Sequence, residues 1–127
     1  GLHTVESSRE ATGDPLFDGL SESSVPVVQW HYLEADQLPA EALLLASSAA
    51  CSNQAFRVGP AAWGVQFHPE ALGQTAKEWV EEDEESLAEL GLAGDTVVSD
   101  VRAAEPALSE VWSEIASRFA RIAAASR

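Results

Sequence analysis

Basic side chains are scarce in this chain of 127 residues. It carries 7 Lys and Arg residues against 21 Asp and Glu residues, a formal net charge of -14 at pH 7. Because phosphate binding needs clustered cations, this balance argues against nucleic acid as a direct partner. The acidic run at 81–85 has two interpretations. It is either a docking patch for a basic partner or, as such runs more commonly are, a solvated helix face that keeps the protein soluble.

Cysteine, methionine and long apolar runs are also scarce. The chain has one Cys and no Met, and it opens Gly1-Leu2-His3. One Cys cannot form an internal disulfide, and without a signal sequence this favours a reducing cytoplasm. No apolar stretch is long enough to cross a membrane, and no basic segment precedes an apolar one. We therefore expect neither a membrane protein nor a secretory precursor, and the opening without Met indicates a piece of a longer protein.

The stretch at 62–70 carries most of the information in the chain. Residues 63–67 form a short run rich in aromatic and β-branched residues, which predicts a buried strand. His68 and Glu70 follow, and side chains two positions apart on extended backbone project to the same side. Pro69 biases His68 away from the α region, so we predict that the two side chains meet. Pro69 also suits the first position of a following helix.

A paired imidazole and carboxylate have a known chemical use. Glu70 would accept a proton from one ring nitrogen of His68, which fixes the tautomer and leaves the other nitrogen free to act as a base. The same spacing also fits a buried histidine at a strand end that is satisfied by a nearby acid and has no function. Spacing alone leaves both interpretations open, because no nucleophile accompanies the pair.

Residues 64–70, Gly-Val-Gln-Phe-His-Pro-Glu, resemble the G-V-Q-F-H-P-E signature of class I glutamine amidotransferases. The His and Glu of that family complete a Cys-His-Glu triad that hydrolyses glutamine. Upstream blocks resemble, in the same order, the stand-alone amidotransferases similar to the glutaminase domain of GMP synthase. These blocks are DPLFDGL at 14–20, QWH at 29–31, LP at 38–39 followed by LASS at 45–48, and CSNQAFRVG at 51–59.

The resemblance implies an α/β fold, the flavodoxin-like three-layer fold of class I glutamine amidotransferases. Residues 1–127 would be the C-terminal part of that domain, with a strand-rich segment at 1–70 and a helical tail at 71–125. Closely spaced strands with short turns predict antiparallel hairpins in the first segment. The other half of the fold, with parallel strands and the nucleophile, is not in this chain.

The function implied by the resemblance is hydrolysis of glutamine to glutamate and ammonia. His68 and Glu70 would be catalytic, with a cysteine that lies outside this sequence, and the backbone of Trp30, His31 and Tyr32 would face the substrate. No metal or organic cofactor is implied, because a thiolate supplies the covalent chemistry. Family members commonly pass ammonia to a synthase partner, whereas stand-alone members can instead hydrolyse γ-glutamyl compounds. The fragment alone is expected to be inactive.

Two departures from the family pattern define the alternatives. Tyr32-Leu33 replaces the usual Gly-Asp or Ser-Leu, which alters the glutamine pocket, and the G-x-C-x-G nucleophile elbow is absent. Cys51 is the alternative nucleophile, but a strand is predicted to follow it where an elbow needs a helix. An inert buried thiol is therefore the preferred interpretation. A non-catalytic interaction module that retains the signature as a relic is the second hypothesis.

Periodicity predicts the remaining elements. Strands are expected at 25–30, with an edge indicated by Pro26, and at 42–46 and 53–58, and Asp14-Pro15 should start a capped turn that buries Leu16 and Phe17. The tail should contain a helix after position 72, a second with a capping box at 86–89 ended by Gly91 and Gly94, a short one that stops before Pro106, and a final amphipathic helix. The stripe of that last helix consists of Leu108, Val111, Trp112, Ile115, Phe119 and Ile122.

Overall fold

Strands occupy the first half of the chain and α-helices the second. The computed structural model describes residues 1–20 and 24–126. The strands are β1 (Leu2–Ser7), β2 (Val25–Val28), β3 (Ala42–Ser47), β4 (Ala55–Val58) and β5 (Ala62–Val65). The helices are α1 (Gly73–Glu82), α2 (Glu84–Glu89) and α3 (Gly94–Ala125), and a short 3-10 helix spans Arg9–Ala11.

The five strands form one sheet in the order β2-β1-β3-β4-β5, and every neighbouring pair is antiparallel. β1 joins the two parts of the sheet, because Leu2 to Val5 pair with β2 while Glu6 and Ser7 pair with β3. The predicted hairpins are confirmed, since β3, β4 and β5 pair in sequence order. Pro26 lies in β2 at one end of the strand order, where a missing backbone N–H is tolerated.

The sheet is curled. The strand order puts β2 and β5 at opposite ends, yet His68, shortly after β5, forms an antiparallel bridge with Val28 of β2. The His68 N–H donates to the Val28 carbonyl over 2.9 Å. The segment after β5 therefore crosses to the other end of the sheet, and this crossing is what positions His68.

The buried strand predicted at 63–67 is only partly correct. β5 ends at Val65, which is 40% exposed, and Trp63 is half-buried. Phe67 is buried, but it lies beyond the strand, where its ring packs 4.8 Å from that of Trp112. The aromatic and β-branched composition indicated extended backbone correctly, but composition does not distinguish an edge strand from a central one.

The turn predicted at Asp14 is confirmed. Its Oδ1 accepts the backbone N–H groups of Leu16 (2.9 Å) and Phe17 (3.0 Å), and both of these residues are buried. The indole N–H of Trp63 donates to the same oxygen over 3.2 Å, and Arg57 Nη1 lies 3.4 Å from Oδ2. A buried carboxylate is costly unless it is paired, and these contacts compensate that cost.

α3 covers the sheet through part of its apolar stripe. Leu108, Trp112 and Ile115 are buried, and the Trp112 indole N–H donates to the Pro26 carbonyl over 2.9 Å. Phe119 is 52% exposed, so the stripe does not pack against the core along its whole length.

Several predicted boundaries in the helical tail are wrong. Pro69 lies in a turn, and α1 begins at Gly73. Ser86 lies inside α2 and forms no capping box, and Gly94 starts α3 instead of ending α2. Gly91 does end α2, in the left-handed conformation with φ +70.

The helix break predicted before Pro106 is also wrong, because α3 continues through it. Pro106 removes one helical N–H and leaves the Arg102 carbonyl without its usual partner. Both residues are exposed, so water can satisfy that carbonyl, while buried Val101 and Leu108 hold the helix on either side. Within 1–20 and 24–126, no helix is both long and apolar enough to cross a membrane.

Candidate active site

His68 and Glu70 are hydrogen-bonded. The distance from His68 Nδ1 to Glu70 Oε1 is 2.8 Å, which confirms that the two side chains meet across Pro69. The backbone explains the geometry, because the bridge to Val28 holds His68 extended and the following turn brings Glu70 back beside it. The imidazole is 33% exposed and the carboxylate 63%, so the pair is open to solvent on one side.

The second ring nitrogen of His68 faces the backbone of Trp30. Nε2 lies 3.2 Å from the Trp30 carbonyl oxygen. A neutral imidazole has only one N–H, whereas both of its neighbours here are acceptors. When Nδ1–H donates to Glu70, the neutral ring turns a lone pair toward Trp30, and the protonated ring donates to both oxygens. Each nitrogen of the His68 ring therefore faces an acceptor.

One indole ring contacts the imidazole, and a second indole ring packs against the first. The centroid of the Trp79 ring lies 4.7 Å from that of His68, with the ring planes at 63°, an edge-on contact. Trp79 also contacts the ring of Trp30 at a centroid distance of 5.5 Å. The Trp30 indole N–H donates to Asp83 Oδ2 over 2.7 Å, at the junction between α1 and α2.

The predicted substrate-facing segment divides in two. Trp30 reaches His68 through its carbonyl, but the side chains of His31 and Tyr32 do not contact His68 within the described hydrogen bonds and ring contacts. His31 and Tyr32 line a cleft of about 210 Å³ whose other wall includes Asp83 and Leu87. This cleft is adjacent to the His68–Glu70 pair and does not include it.

His31 is exposed, and both of its ring nitrogens are engaged within its own segment. Nδ1 lies 2.8 Å from the Leu33 carbonyl and Nε2 2.7 Å from Gln29 Oε1. Tyr32 is 75% exposed, and its hydroxyl donates to Ser86 Oγ over 3.0 Å. These contacts hold the His31 ring within its own loop, whereas the His68 ring is paired with the Glu70 carboxylate.

Cys51 is poorly suited to be a nucleophile. The residue is buried in a tight turn, where its N–H donates to Ser48 Oγ and its carbonyl accepts from the Ser48 N–H. Burial raises the pKa of the Cys51 thiol, and a hydrogen bond with Glu34 raises it further. Because the thiolate is the reactive species, this environment disfavours the catalytic alternative.

Within the part of the chain that the structure describes, no three His, Cys, Asp or Glu side chains come together in a group that could hold a metal ion.

Sequence reasoning missed Trp79 and Asp83 as neighbours of the site. Trp79 falls in the helix predicted after position 72, and Asp83 falls in the acidic run at 81–85, and neither pattern indicates a contact with His68. Their shared face was visible in principle, since side chains one helical turn apart are neighbours. Their contacts with His68 and Trp30 could not be predicted, because no local sequence pattern relates α1 to those residues.

Known proteins were compared with the chain by sequence and by structure. The family described as "Glutamine amidotransferase class-I" matches residues 1–84. A comparison with curated protein sequences gives no significant match.

Two solved structures share the fold. One is a glutamine amidotransferase from Thermotoga maritima, with a TM-score of 0.75 and 25% identity over 94% of this chain and 49% of that one. The other is a glutamine amidotransferase from Methylobacillus flagellatus, with a TM-score of 0.80 and 20% identity over 95% of this chain and 51% of that one. The chain thus spans about half the length of these structures. They confirm the predicted α/β fold class, and with the sequence match they establish that this chain belongs to the class I glutamine amidotransferase family.

Proposed function

We propose that the complete protein hydrolyses the side-chain amide of glutamine to glutamate and ammonia, using a Cys-His-Glu triad. His68 and Glu70 supply two members of the triad, and the cysteine lies outside this chain. The observation that carries the proposal is the 2.8 Å hydrogen bond between His68 Nδ1 and Glu70 Oε1 in a member of this family.

The chemistry assigns every proton transfer to Nε2 of His68 and leaves Nδ1 hydrogen-bonded to Glu70. Nε2 takes the proton of the thiol, and the thiolate then attacks the amide carbon and forms a carbon–sulfur bond. Nε2 returns the proton to the leaving nitrogen, so that the carbon–nitrogen bond breaks and ammonia departs. Water, activated by the same nitrogen, hydrolyses the thioester, releases glutamate and restores the thiol. Glu70 holds Nδ1–H throughout.

The Trp30 carbonyl supports this cycle. It lies 3.2 Å from Nε2, so it can accept the Nε2–H of the protonated ring between the two proton transfers. The backbone at 30–32 would face the glutamine, as the family resemblance implies. The ammonia would pass to an acceptor, in the family's usual manner a synthase subunit or domain.

The test is turnover by the complete protein. Glutamate and ammonia release from glutamine are measured together, before and after the protein is treated with a thiol-alkylating reagent. We expect equal release of both products and loss of both after alkylation. A folded complete protein that releases neither would overturn the proposal in favour of a non-catalytic interaction module. Release of glutamate from γ-glutamyl peptides but not from glutamine would identify a γ-glutamyl hydrolase instead.

A further inference from the structure

The ring of Trp79, on helix α1, contacts the rings of both His68 and Trp30. The Trp79 ring centroid lies 4.7 Å from the His68 ring and 5.5 Å from the Trp30 ring. Trp79 is half-buried and lies beside an imidazole whose charged partner, Glu70, is mostly exposed. An exposed carboxylate and one backbone carbonyl leave the ring some freedom to reorient, and an aromatic contact restricts that motion.

Asp83 holds Trp30 from the same face of the helix. It lies one helical turn after Trp79, and its Oδ2 accepts the Trp30 indole N–H over 2.7 Å. A short bond to an ionised acceptor is stronger than one between neutral groups. Trp30 is thus fixed at its ring by Trp79 and at its indole nitrogen by Asp83.

The hydrogen bond between Asp83 and Trp30 is unusual because of where Asp83 lies in the chain. Asp83 is the N-cap residue of α2, where an aspartate normally accepts a backbone N–H of the first turn. Its side chain makes no such capping bond. The carboxylate instead accepts the Trp30 indole N–H. Helix α2 therefore lacks a local capping bond, and Asp83 contacts a residue that is distant in the sequence.

We propose that Trp79 and Asp83 are positioning residues for His68. Trp79 fixes the plane of the imidazole, so that Nδ1 stays on Glu70. Asp83 and Trp79 together fix Trp30, so that its carbonyl stays opposite Nε2. The positioning itself is independent of the reaction, but its catalytic consequence rests on the proposed glutaminase function.

The positioning is tested without substrate on the complete protein, because residues 1–127 alone are expected to be poorly stable. Nitrogen-15 NMR measures the fraction of the neutral His68 ring that carries its proton on Nδ1. We expect Nδ1–H to predominate in the parent protein, because Glu70 accepts it. Trp79→Leu should lower that fraction at least twofold, while Trp79→Phe, which keeps an aromatic wall, should restore most of it.

Asp83 has its own pair of variants. Asp83→Ala removes the acceptor for Trp30, so that the Trp30 carbonyl no longer competes for the ring proton at Nε2, and it should raise the Nδ1–H fraction, whereas Asp83→Asn keeps an acceptor and should preserve it. Because Asp83 lies at a helix junction outside the core, Asp83→Ala decides the question even where Trp79→Leu fails to fold.

Val80→Ala is the matched control. Val80 is the next residue on α1 and packs on Gly94 of α3, not on His68. This change should lower the melting temperature and leave the tautomer unchanged. An unaltered Nδ1–H fraction in folded Trp79→Leu and Asp83→Ala proteins, or an equal change in Val80→Ala, would overturn the positioning role.

Activity of the complete protein separates the two proposals. If the glutaminase proposal holds, Trp79→Leu should lower kcat ~10- to 100-fold, since small misplacements of a catalytic group have effects of this size, and Trp79→Phe should recover most of it. KM should change by much less than kcat. A tautomer change in a protein that never hydrolyses glutamine would sink the proposed function alone. Full activity in a Trp79→Leu protein that has lost the Nδ1–H preference would show that the positioning has no catalytic consequence.

Discussion

The carbonyl oxygen of Trp30 lies 3.2 Å from Nε2 of His68, while Glu70 holds Nδ1 of the same ring at 2.8 Å. Trp30 lies shortly after the end of β2, and His68 follows β5 at the other end of the strand order. One imidazole thus has its two nitrogens held by residues from different parts of the chain. The contacts at the two nitrogens lead to separate predictions for Glu70 and for His68.

Glu70 should contribute through its charge as well as through its hydrogen bond. In the complete protein, we expect Glu70→Gln to lower kcat by ~10-fold, because the amide oxygen can still accept Nδ1–H but no longer stabilises an imidazolium. Glu70→Ala should lower it by ~10²-fold or more. The measurement is glutamate release at saturating glutamine. Parent-like kcat in Glu70→Ala would remove Glu70 from the triad.

The two histidines that follow strands should differ in importance. We expect His68→Ala to reduce glutaminase activity of the complete protein by ~10²- to 10⁴-fold, as is typical for a lost general acid and base. His31→Ala should reduce it less, because both nitrogens of His31 are engaged within its own loop. Steady-state kinetics on the two variants, prepared in parallel, measure both effects. Equal losses would mean that the roles are wrongly assigned.

Cys51 should be dispensable for catalysis, and its contribution to stability should change with pH only at high pH. Burial raises the pKa of the folded thiol above its unfolded value, so the stability that it contributes is complete below the ordinary thiol pKa of ~8.5 and is lost as pH rises through the raised value. Thermal melts from neutral to alkaline pH should therefore show the parent chain losing stability relative to Cys51→Ala only above that point.

A contrary result for Cys51 is easy to recognise. Parallel melting curves for the two chains at every pH would mean that the thiol titrates normally. Loss of glutamate release in Cys51→Ala would make Cys51 the nucleophile after all.

The Asp14 carboxylate should be among the most sensitive positions for folding. Asp14→Ala leaves the N–H groups of Leu16 and Phe17 and the Arg57 side chain without their acceptor. We expect the free energy of unfolding to fall by ~2–4 kcal/mol. Asp100→Ala, an exposed substitution on α3, should change it by less than ~0.5 kcal/mol. Urea denaturation of both variants tests the difference, and equal midpoints would refute it.

Residues 1–127 alone should be inactive and poorly stable as a monomer. The chain has a base and its carboxylate but no well-placed thiolate. An apolar groove of about 340 Å³ lies beside Glu70, lined among others by Trp63, Val65 and Phe119, and its exposure should weaken the isolated chain. Glutamate release and a thermal melt on the purified chain test both expectations. A sharp cooperative melt from a monomer would show that this half closes its own core.

The sequence correctly predicted the features that depend on residues close together in the chain. The His68–Glu70 contact was predicted from alternation on extended backbone and from the restriction that Pro69 imposes, although a turn at Pro69 and Glu70 produces it, and the hairpins follow from short turns. The end of the β5 strand at Val65 and the continuation of α3 through Pro106 depend on which side of each element meets solvent. Composition does not encode that choice, because tertiary packing overrides local propensity.

The surroundings of the site were less accessible to sequence reasoning. Trp79 belongs to the helix predicted after position 72 and Asp83 to the acidic run at 81–85, and these patterns describe only a local segment of the chain. Their contacts with His68 and Trp30 depend on how α1 lies against the curled sheet. The signature at 64–70 therefore predicted the hydrogen-bonded pair but not the residues that hold it in place.

The bridge between Val28 and His68 has a consequence for the order of folding. The hairpins of β3, β4 and β5 bring together residues close in sequence, whereas the bridge closes a long loop between two ends of the sheet. Loop closure costs entropy before any contact repays it, so such pairings form slowly and open early. The chain can therefore lose the geometry around His68 by local opening while most of its sheet remains paired. The geometry around His68 therefore depends on the bridge to Val28, and we expect it to be lost at a lower temperature than the secondary structure.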